Sequence, residues 1–491
     1  MRKIADSALL GLSALLLSAC SSIQTTPPMG QACPCPKEFY CNLTTSTCAS
    51  GCAADSDCNT GATCNTSTRQ CSDNTTPSLC KSDADCLAGS QTCDLASSQC
   101  KFPTGPTKMV DVLFVMDNSP GMAAKQKQLA IGLPNFIAQL DAASFNYHIG
   151  FTTTDVGTLT APGVMFPGTP LISCSTFAGD DGALQATPCT NISGLTGEAI
   201  SNCATLCPDP KYVPNAGMRY IAKESGVTNV PSLMSGGRDI GPALAAQCLA
   251  LRGDVGCGVE SPLEAAKRAL DSHAATNSGF LRTGSLLAVI FLTDEDDCSV
   301  QLTRRNENDP MTVDCASPDN SAAFGCFNLD YRCFARAVTC SENGGAMNVT
   351  GTKTNCVERP NNYLEPIATY TKFFTTLRPA NRLFIQGIWS PSIQDNPTGD
   401  TTKNGRVIIV NQSPPSSSGL NRGIQGQAAC YNSLPGLTND PSGYSGKAQL
   451  RLTQFVRNFP ISSRLESDIC AAPYTAPLAI VASMLATLSV N

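Results

Sequence analysis

Two apolar stretches of this chain end on acids. Met109 to Met116 reads Met-Val-Asp-Val-Leu-Phe-Val-Met and closes on Asp117-Asn118-Ser119, while Leu286 to Leu292 runs into Thr293-Asp294-Glu295-Asp296-Asp297. Carboxylates and hydroxyls gathered at such ends are hard oxygen donors of the kind that suit Mg²⁺ or Ca²⁺. The acidic run would in principle also serve a two-metal hydrolase, but nothing supplies its histidine partners, since the whole chain holds two histidines, His148 and His273. No G-x-S-x-G elbow, H-E-x-x-H pair or Walker loop occurs. The chemistry on offer is therefore binding rather than catalysis, and the chain is not expected to be an enzyme.

Each acid needs an element to hold it. The stretch from Met109 is nearly continuous in apolar residues, as in a strand covered on both faces of a parallel sheet. Leu129, Leu133, Phe136 and Leu140 then recur at helical spacing, which predicts a helix lying on that sheet and kinked at Pro134. A second strand is expected at Tyr147–Thr153 and a third at Leu286–Leu292. A helix carrying Leu364, Ile367, Phe374 and Leu377 leads to a strand at Leu383–Ile388, and Gly405–Val410 adds another. This alternation predicts an α/β fold with a doubly wound, mainly parallel sheet. The intervening stretches 157–255, 299–360 and 390–446 are rich in Gly, Pro, Ser and Asn and too long for bare loops. They hold most of the fourteen cysteines that follow residue 109, and so read as disulfide-rich insertions.

A buried strand closing in D-x-S and a later one closing in L-T-D resemble the two halves of the metal-ion-dependent adhesion site of von Willebrand factor A domains. The resemblance spans Met109 to Asn491, interrupted by the insertions. It implies that Asp117, Ser119 and Asp294 ligate Mg²⁺ or Ca²⁺, with waters and a carboxylate from a protein partner completing the shell. Strands adjacent at the switch point of such a sheet deliver their C-terminal loops to one crevice, which is why the two ends meet. The match has gaps. Gly121 stands where the family's D-x-S-x-S pattern has its second serine, and no threonine occurs in Cys257-Gly258-Val259-Glu260-Ser261-Pro262, where the remaining ligand would fall. Glu260 or Ser261 must stand in. Ser261-x-x-Glu264, with Pro262 at the first helical position, also reads as a capping box, so Glu260 is the favoured ligand. The alternative is a metal-free A-type domain in a structural envelope lipoprotein.

The first 108 residues set the compartment. Arg2 and Lys3 precede an apolar run from Ala8 to Leu17 that is too short to span a bilayer, as in a secretion signal. Leu17-Ser18-Ala19-Cys20 resembles the bacterial lipobox, which implies a signal peptide at 1–19, lipidation of Cys20 and a tether at 20–32. Ser21, in place of an aspartate, resembles the pattern sent on to the outer membrane or cell surface. Apart from Cys20, 26 cysteines remain, an even number that suits disulfides outside the cytosol; zinc is the lesser alternative, lacking paired C-x2-C knuckles. Twelve of them fall in three similar units between Cys33 and Cys100, giving disulfide-knotted repeats at 33–101 and a linker at 102–108. Two bridges per unit leave three pairings open. Asp55-Ser56-Asp57-Cys58 and Asp83-Ala84-Asp85-Cys86 are similar to short repeats of secreted myxobacterial proteins; these acids either make turns or hold Ca²⁺. Without residues 1–19 the net charge is −7, which argues against nucleic acid as a partner. The longest later apolar stretch, Ala476 to Val490, is too short for a transmembrane helix, so lipid is the expected membrane anchor. Arg252-Gly253-Asp254 matches an integrin-recognition tripeptide that arises easily by chance. The expected function is that of a lipid-anchored surface protein binding a protein or envelope ligand through a divalent cation.

Overall fold

A computed structural model describes residues 108–157, 179–256, 260–271, 275–301, 337–345, 350–359, 364–391 and 445–488, with shorter pieces elsewhere, among them parts of 39–101 and of 407–431. Cys20, the signal and tether, both Asp-x-Asp-Cys segments and Cys257 lie outside the described residues. By contacts the chain divides into two compact units, Met1–Leu79 with Ser97–Gln99, and Cys80–Ala96 with Cys100–Asn491.

In the first unit short antiparallel hairpins pair Phe39–Asn42 with Thr47–Ser50 and Ala62–Asn65 with Gln70–Asp73. Cys52 is bonded to Cys64, joining the first and third cysteines of one repeat. That bridge selects among the three pairings that spacing left open.

The second unit is an α/β domain built on seven strands. In chain order its framework is β1 (Met109–Met116), α1 (Ala123–Ala142), β2 (Asn146–Thr153), α2 (Gly197–Leu206), β3 (Ile221–Glu224), β4 (Val227–Thr228), α3 (Gly241–Ala250), α4 (Pro262–Leu270), β5 (Leu286–Leu292), α5 (Ile367–Leu377), β6 (Leu383–Trp389), α6 (Arg451–Arg457), β7 (Arg464–Asp468) and α7 (Thr475–Leu488). Across the sheet the order is β4-β3-β2-β1-β5-β6-β7. The five strands β2, β1, β5, β6 and β7 are parallel, and at one edge β3 pairs antiparallel with both β2 and β4. The winding reverses between β1 and β5, so their C-terminal ends flank the switch point.

The period of two along each strand produces two cores. Val110, Val112, Phe114 and Met116 of β1, with Leu286, Ala288, Ile290 and Leu292 of β5, face α1, α3 and α7. Leu113 and Val115, with Leu287, Val289 and Phe291, face α4, α5 and α6. All four stripe residues of α1, Leu129, Leu133, Phe136 and Leu140, are fully buried. The helix runs on past Pro134, which has no N–H to give the Ala130 carbonyl; Gln247 of α3 donates to that carbonyl instead, at 3.2 Å. At Gly132 a side chain would meet Leu478 of α7 at 2.8 Å, so glycine sets the approach of these helices.

Several expectations are corrected here. The stretch 157–255 belongs in part to the fold proper, since it supplies α2, α3 and the β3–β4 edge, tied by Cys189–Cys203 and Cys207–Cys248. The strand expected at 405–410 forms at Val407–Gln412, outside the central sheet, between Gly351–Lys353 and Gly423–Gly426. Leu364 lies before α5, in an isolated bridge to Val300, because Pro366 starts the helix one residue ahead of Ile367. Cys340–Cys356 and Cys430–Cys470 bind the later segments. Among the described residues no helix is long and apolar enough to cross a membrane.

Candidate metal centre

The backbone ladder carries past the strand ends: the Asp117 N–H donates to the Leu292 carbonyl at 2.9 Å, holding the two acidic loops side by side. Asp117 is fully buried. One of its carboxylate oxygens accepts the Ser119 N–H at 2.8 Å, and the other accepts the Thr293 hydroxyl at 2.8 Å. Burial, and secondly the charge of Asp294, push its pKa up to about 6 despite the bonds from Ser119 and Thr293. Ser119 is buried beside it. Gln126 of α1 braces the loop by donating to the Asp117 carbonyl at 2.7 Å and to the Gly253 carbonyl at 2.8 Å.

Glu260 enters from the loop before α4. It is buried, and one oxygen accepts the hydroxyl of Thr154, the residue that follows β2. The other, Oε1, is buried without a hydrogen-bond partner. Burial and then the nearby charge of Asp117 hold the Glu260 pKa well above the usual carboxylate range. An orphaned carboxylate oxygen is costly in a dry setting, and each such group calls for an explanation. Asp294 completes the crevice, with Oδ2 accepting from Nζ of Lys125 at 2.5 Å.

The four expected ligands Asp117, Ser119, Glu260 and Asp294 thus lie around one switch-point crevice, Asp117 within electrostatic reach of both other acids. Gly121 has a local reason: its φ is +102°, a conformation that would strain a serine. Four further residues went unforeseen, namely Lys125, Gln126, Thr154 and Thr293. For Lys125 a signal existed, because continuing the α1 stripe backwards from Leu129 by four and three residues reaches Lys125 and Gln126. Both are buried polar side chains on a core-facing stripe that here meets the strand ends.

The acidic run divides into separate duties. Asp296 takes the backbone N–H groups of Leu450, Arg451 and Leu452 at the start of α6, at 3.0 to 3.2 Å. Burial nevertheless raises its pKa to about 6. Asp297 is buried against the Arg451 guanidinium, with Nε at 3.2 Å and Nη2 at 3.1 Å. It also accepts the Leu263 N–H at the start of α4 at 3.2 Å. The capping box is corrected accordingly. Ser261 sits at the N-cap of α4 without a side-chain cap bond, donating instead to the Cys298 carbonyl at 3.2 Å. Asp297 and Ser299, delivered by the loop after β5, cap the helix from outside, and Glu264 pairs with Arg268 and accepts from Tyr370.

Among the described residues, the groups of His, Cys, Asp or Glu that bring three ligand atoms within 4.8 Å of one another are Cys189, Cys203 and Cys207, and Cys430, Asp468 and Cys470; Asp117, Glu260 and Asp294 stand farther apart than that. The sulfurs of both cysteine groups are in disulfides, which leaves no thiolate for a metal. Arg252 and Asp254 are buried, the first donating to the Thr187 carbonyl at 2.6 Å and the second accepting from the Thr196 hydroxyl at 2.5 Å, so that triplet is structural. Compared with known proteins, the chain matches no protein-family model and no curated protein.

Proposed function

We propose that this chain is an envelope lipoprotein, anchored through Cys20 at the outer membrane or cell surface, whose head resembles a von Willebrand factor A domain and binds a protein or envelope ligand through a divalent cation. The observation that carries the reading is Glu260 Oε1, a buried carboxylate oxygen without a partner, set near Asp117 at the switch point between β1 and β5. Asp117, Ser119, Asp294 and Glu260 form a donor set of hard oxygens, fit for Mg²⁺ or Ca²⁺. A bound cation would supply the positive charge that lets Asp117 and Glu260 ionise in a buried setting. The chain's own groups do the positioning: Thr293 and the Ser119 N–H orient Asp117, Thr154 orients Glu260, and Gln126 fixes the loop between them.

A second reading, a structural envelope lipoprotein with a metal-free domain, draws on Lys125, whose ammonium already neutralises Asp294. Titration calorimetry separates the two. Heat of Mg²⁺ or Ca²⁺ binding at up to about millimolar cation, lost in both Asp117→Ala and Asp294→Ala, is expected from the adhesion-site reading, because removing one charged ligand leaves the cation under-neutralised. Wild-type protein that takes up neither cation sinks that reading and leaves the structural one. Capture of a partner from envelope fractions in Ca²⁺ but not in chelator would extend it to ligand binding.

A further inference from the structure

Lys125 lies in the first turn of α1 with its side chain 1% exposed. A lysine there is unusual, since ammonium groups are rarely taken fully out of water unless paired. Its Nζ reaches Asp294 Oδ2 at 2.5 Å and the Gly121 carbonyl at 3.3 Å. The second contact has a cause in the backbone. Glycine at 121, with its positive φ, puts no side chain at that corner and leaves its carbonyl to the ammonium. The carboxylates of Asp117, Glu260 and Asp294 thus stand near the tethered ammonium of Lys125, which faces Asp294 and leaves Glu260 Oε1 without a donor.

We propose that Lys125 is a built-in competitor for the cation position: its ammonium neutralises Asp294 in the cation-free protein and must leave that carboxylate when a divalent ion binds. The inference rests on the cation-site reading above and deepens it. Asp294 Oδ2 cannot serve both a buried ammonium and a divalent ion, because two cations sharing one carboxylate in a desolvated crevice repel strongly. The four-carbon stem of lysine gives it the freedom to swing away, which an arginine fork would lack. Lys125 thereby sets how much cation the site requires and keeps Asp294 from standing unneutralised in the cation-free protein. The affinity of the site is then a difference between two cations rather than the strength of one.

The test uses the full-length protein with Mg²⁺ and Ca²⁺ alone as probes. Calorimetry on wild type and Lys125→Met should show at least about tenfold tighter binding in the variant, since the competing charge is gone. Thermal unfolding in chelator should show Lys125→Met melting below wild type, and saturating Ca²⁺ should remove the difference. Should Lys125→Met fail to fold, Lys125→Gln and the wild type decide. In the wild type, acetylation mapped by mass spectrometry should spare Lys125 in chelator and modify it in Ca²⁺. Equal affinities for wild type and either variant, or a wild type that binds Ca²⁺ while Lys125 stays protected, overturn the competition and leave the cation site standing. Absence of binding in wild type and variants alike removes the cation site itself, and this inference with it.

Discussion

Asp111 and Asp117 lie six residues apart around the same strand, both fully buried, and their surroundings are opposite. Asp111, near the N-terminal end of β1, is saturated. Arg282 donates to it through Nε at 2.8 Å and through its backbone N–H at 2.7 Å, and the Ser285 hydroxyl does so at 2.5 Å. Arg378 ties the same corner by donating to the Ser285 and Arg282 carbonyls at 2.9 and 2.6 Å. Asp117, at the C-terminal end, accepts from a serine N–H and a threonine hydroxyl, and the charges nearest to it belong to other acids. A fold that can surround one buried acid with arginines leaves the other under-compensated at the switch point. Buried charge that stabilises is paired, whereas buried charge kept unpaired costs stability and is a mark of a site that works.

The largest effect is expected from breaking the paired end. Asp111→Asn takes the buried carboxylate from the largely covered Arg282 guanidinium and leaves it the exposed Glu224 at 3.4 Å, which should cost about 3 kcal/mol in urea unfolding. Divalent-cation binding in the protein that remains folded should be unchanged. Asp117→Asn, isosteric at the other end of the strand, should change stability in chelator by no more than about 1 kcal/mol at about pH 4.5, where the wild-type carboxyl still holds its proton, and should abolish cation binding at neutral pH. If both variants lose comparable stability, the contrast between the two ends is false.

A smaller effect concerns pH. Asp117 keeps its proton up to about pH 6 in the folded chain, against 3.8 for a free aspartate carboxyl. Between those values the native state binds more protons than the unfolded one. The stability this group contributes is therefore present in full below about pH 4 and lost as pH rises through about 6. In chelator, the difference in unfolding free energy between wild type and Asp117→Asn should shift against wild type by about 1–3 kcal/mol between pH 4.5 and 7.5. Saturating Ca²⁺ should reverse the shift in wild type alone, because the ion favours the carboxylate. A difference that stays flat across this range would show that Asp117 titrates normally.

The centre of this molecule was legible because hydrophobicity writes it plainly. Strands β1 and β5 are unbroken apolar runs ending in acids, and the α1 stripe repeats at helical spacing, so the crevice between Asp117 and Asp294 follows from the alternation of elements. The margins were not legible. Strand β7, Arg-Leu-Glu-Ser-Asp, is a half-buried edge with no apolar run, and its place is set by pairing with β6. Helix α3 is a small-residue segment, Gly-Pro-Ala-Leu-Ala-Ala, inside a stretch whose Gly, Pro and Ser content suggests loop. At the site, Asp117, Ser119 and Asp294 stand at strand ends, whereas Lys125 and Thr154 reach the crevice from α1 and from the end of β2, positions whose meaning is purely spatial.

The smallest predicted effect isolates that spatial component. Ser261-x-x-Glu264 satisfies a local capping rule, yet tertiary structure assigns the cap elsewhere. By the time the chain reaches α4 in space, Asp297 and Ser299 already stand at its first turn, Asp297 oriented by Arg451 and accepting the Ser299 hydroxyl at 2.6 Å. Ser299 Oγ accepts the Glu264 N–H at 3.1 Å, so Ser299→Ala strips a donor of the first turn of its acceptor and leaves an Asp297 oxygen short of a donor. That should cost about 1–2 kcal/mol. Ser261→Ala removes one hydroxyl bond to a carbonyl and leaves the cap intact, which should cost about 0.5–1 kcal/mol. Neither serine touches Asp117 or Asp294, so cation binding should survive both changes. Urea midpoints for the two variants, measured side by side, decide the matter: a larger loss in Ser261→Ala would mean that the local pattern, and not the loop after β5, holds the start of α4.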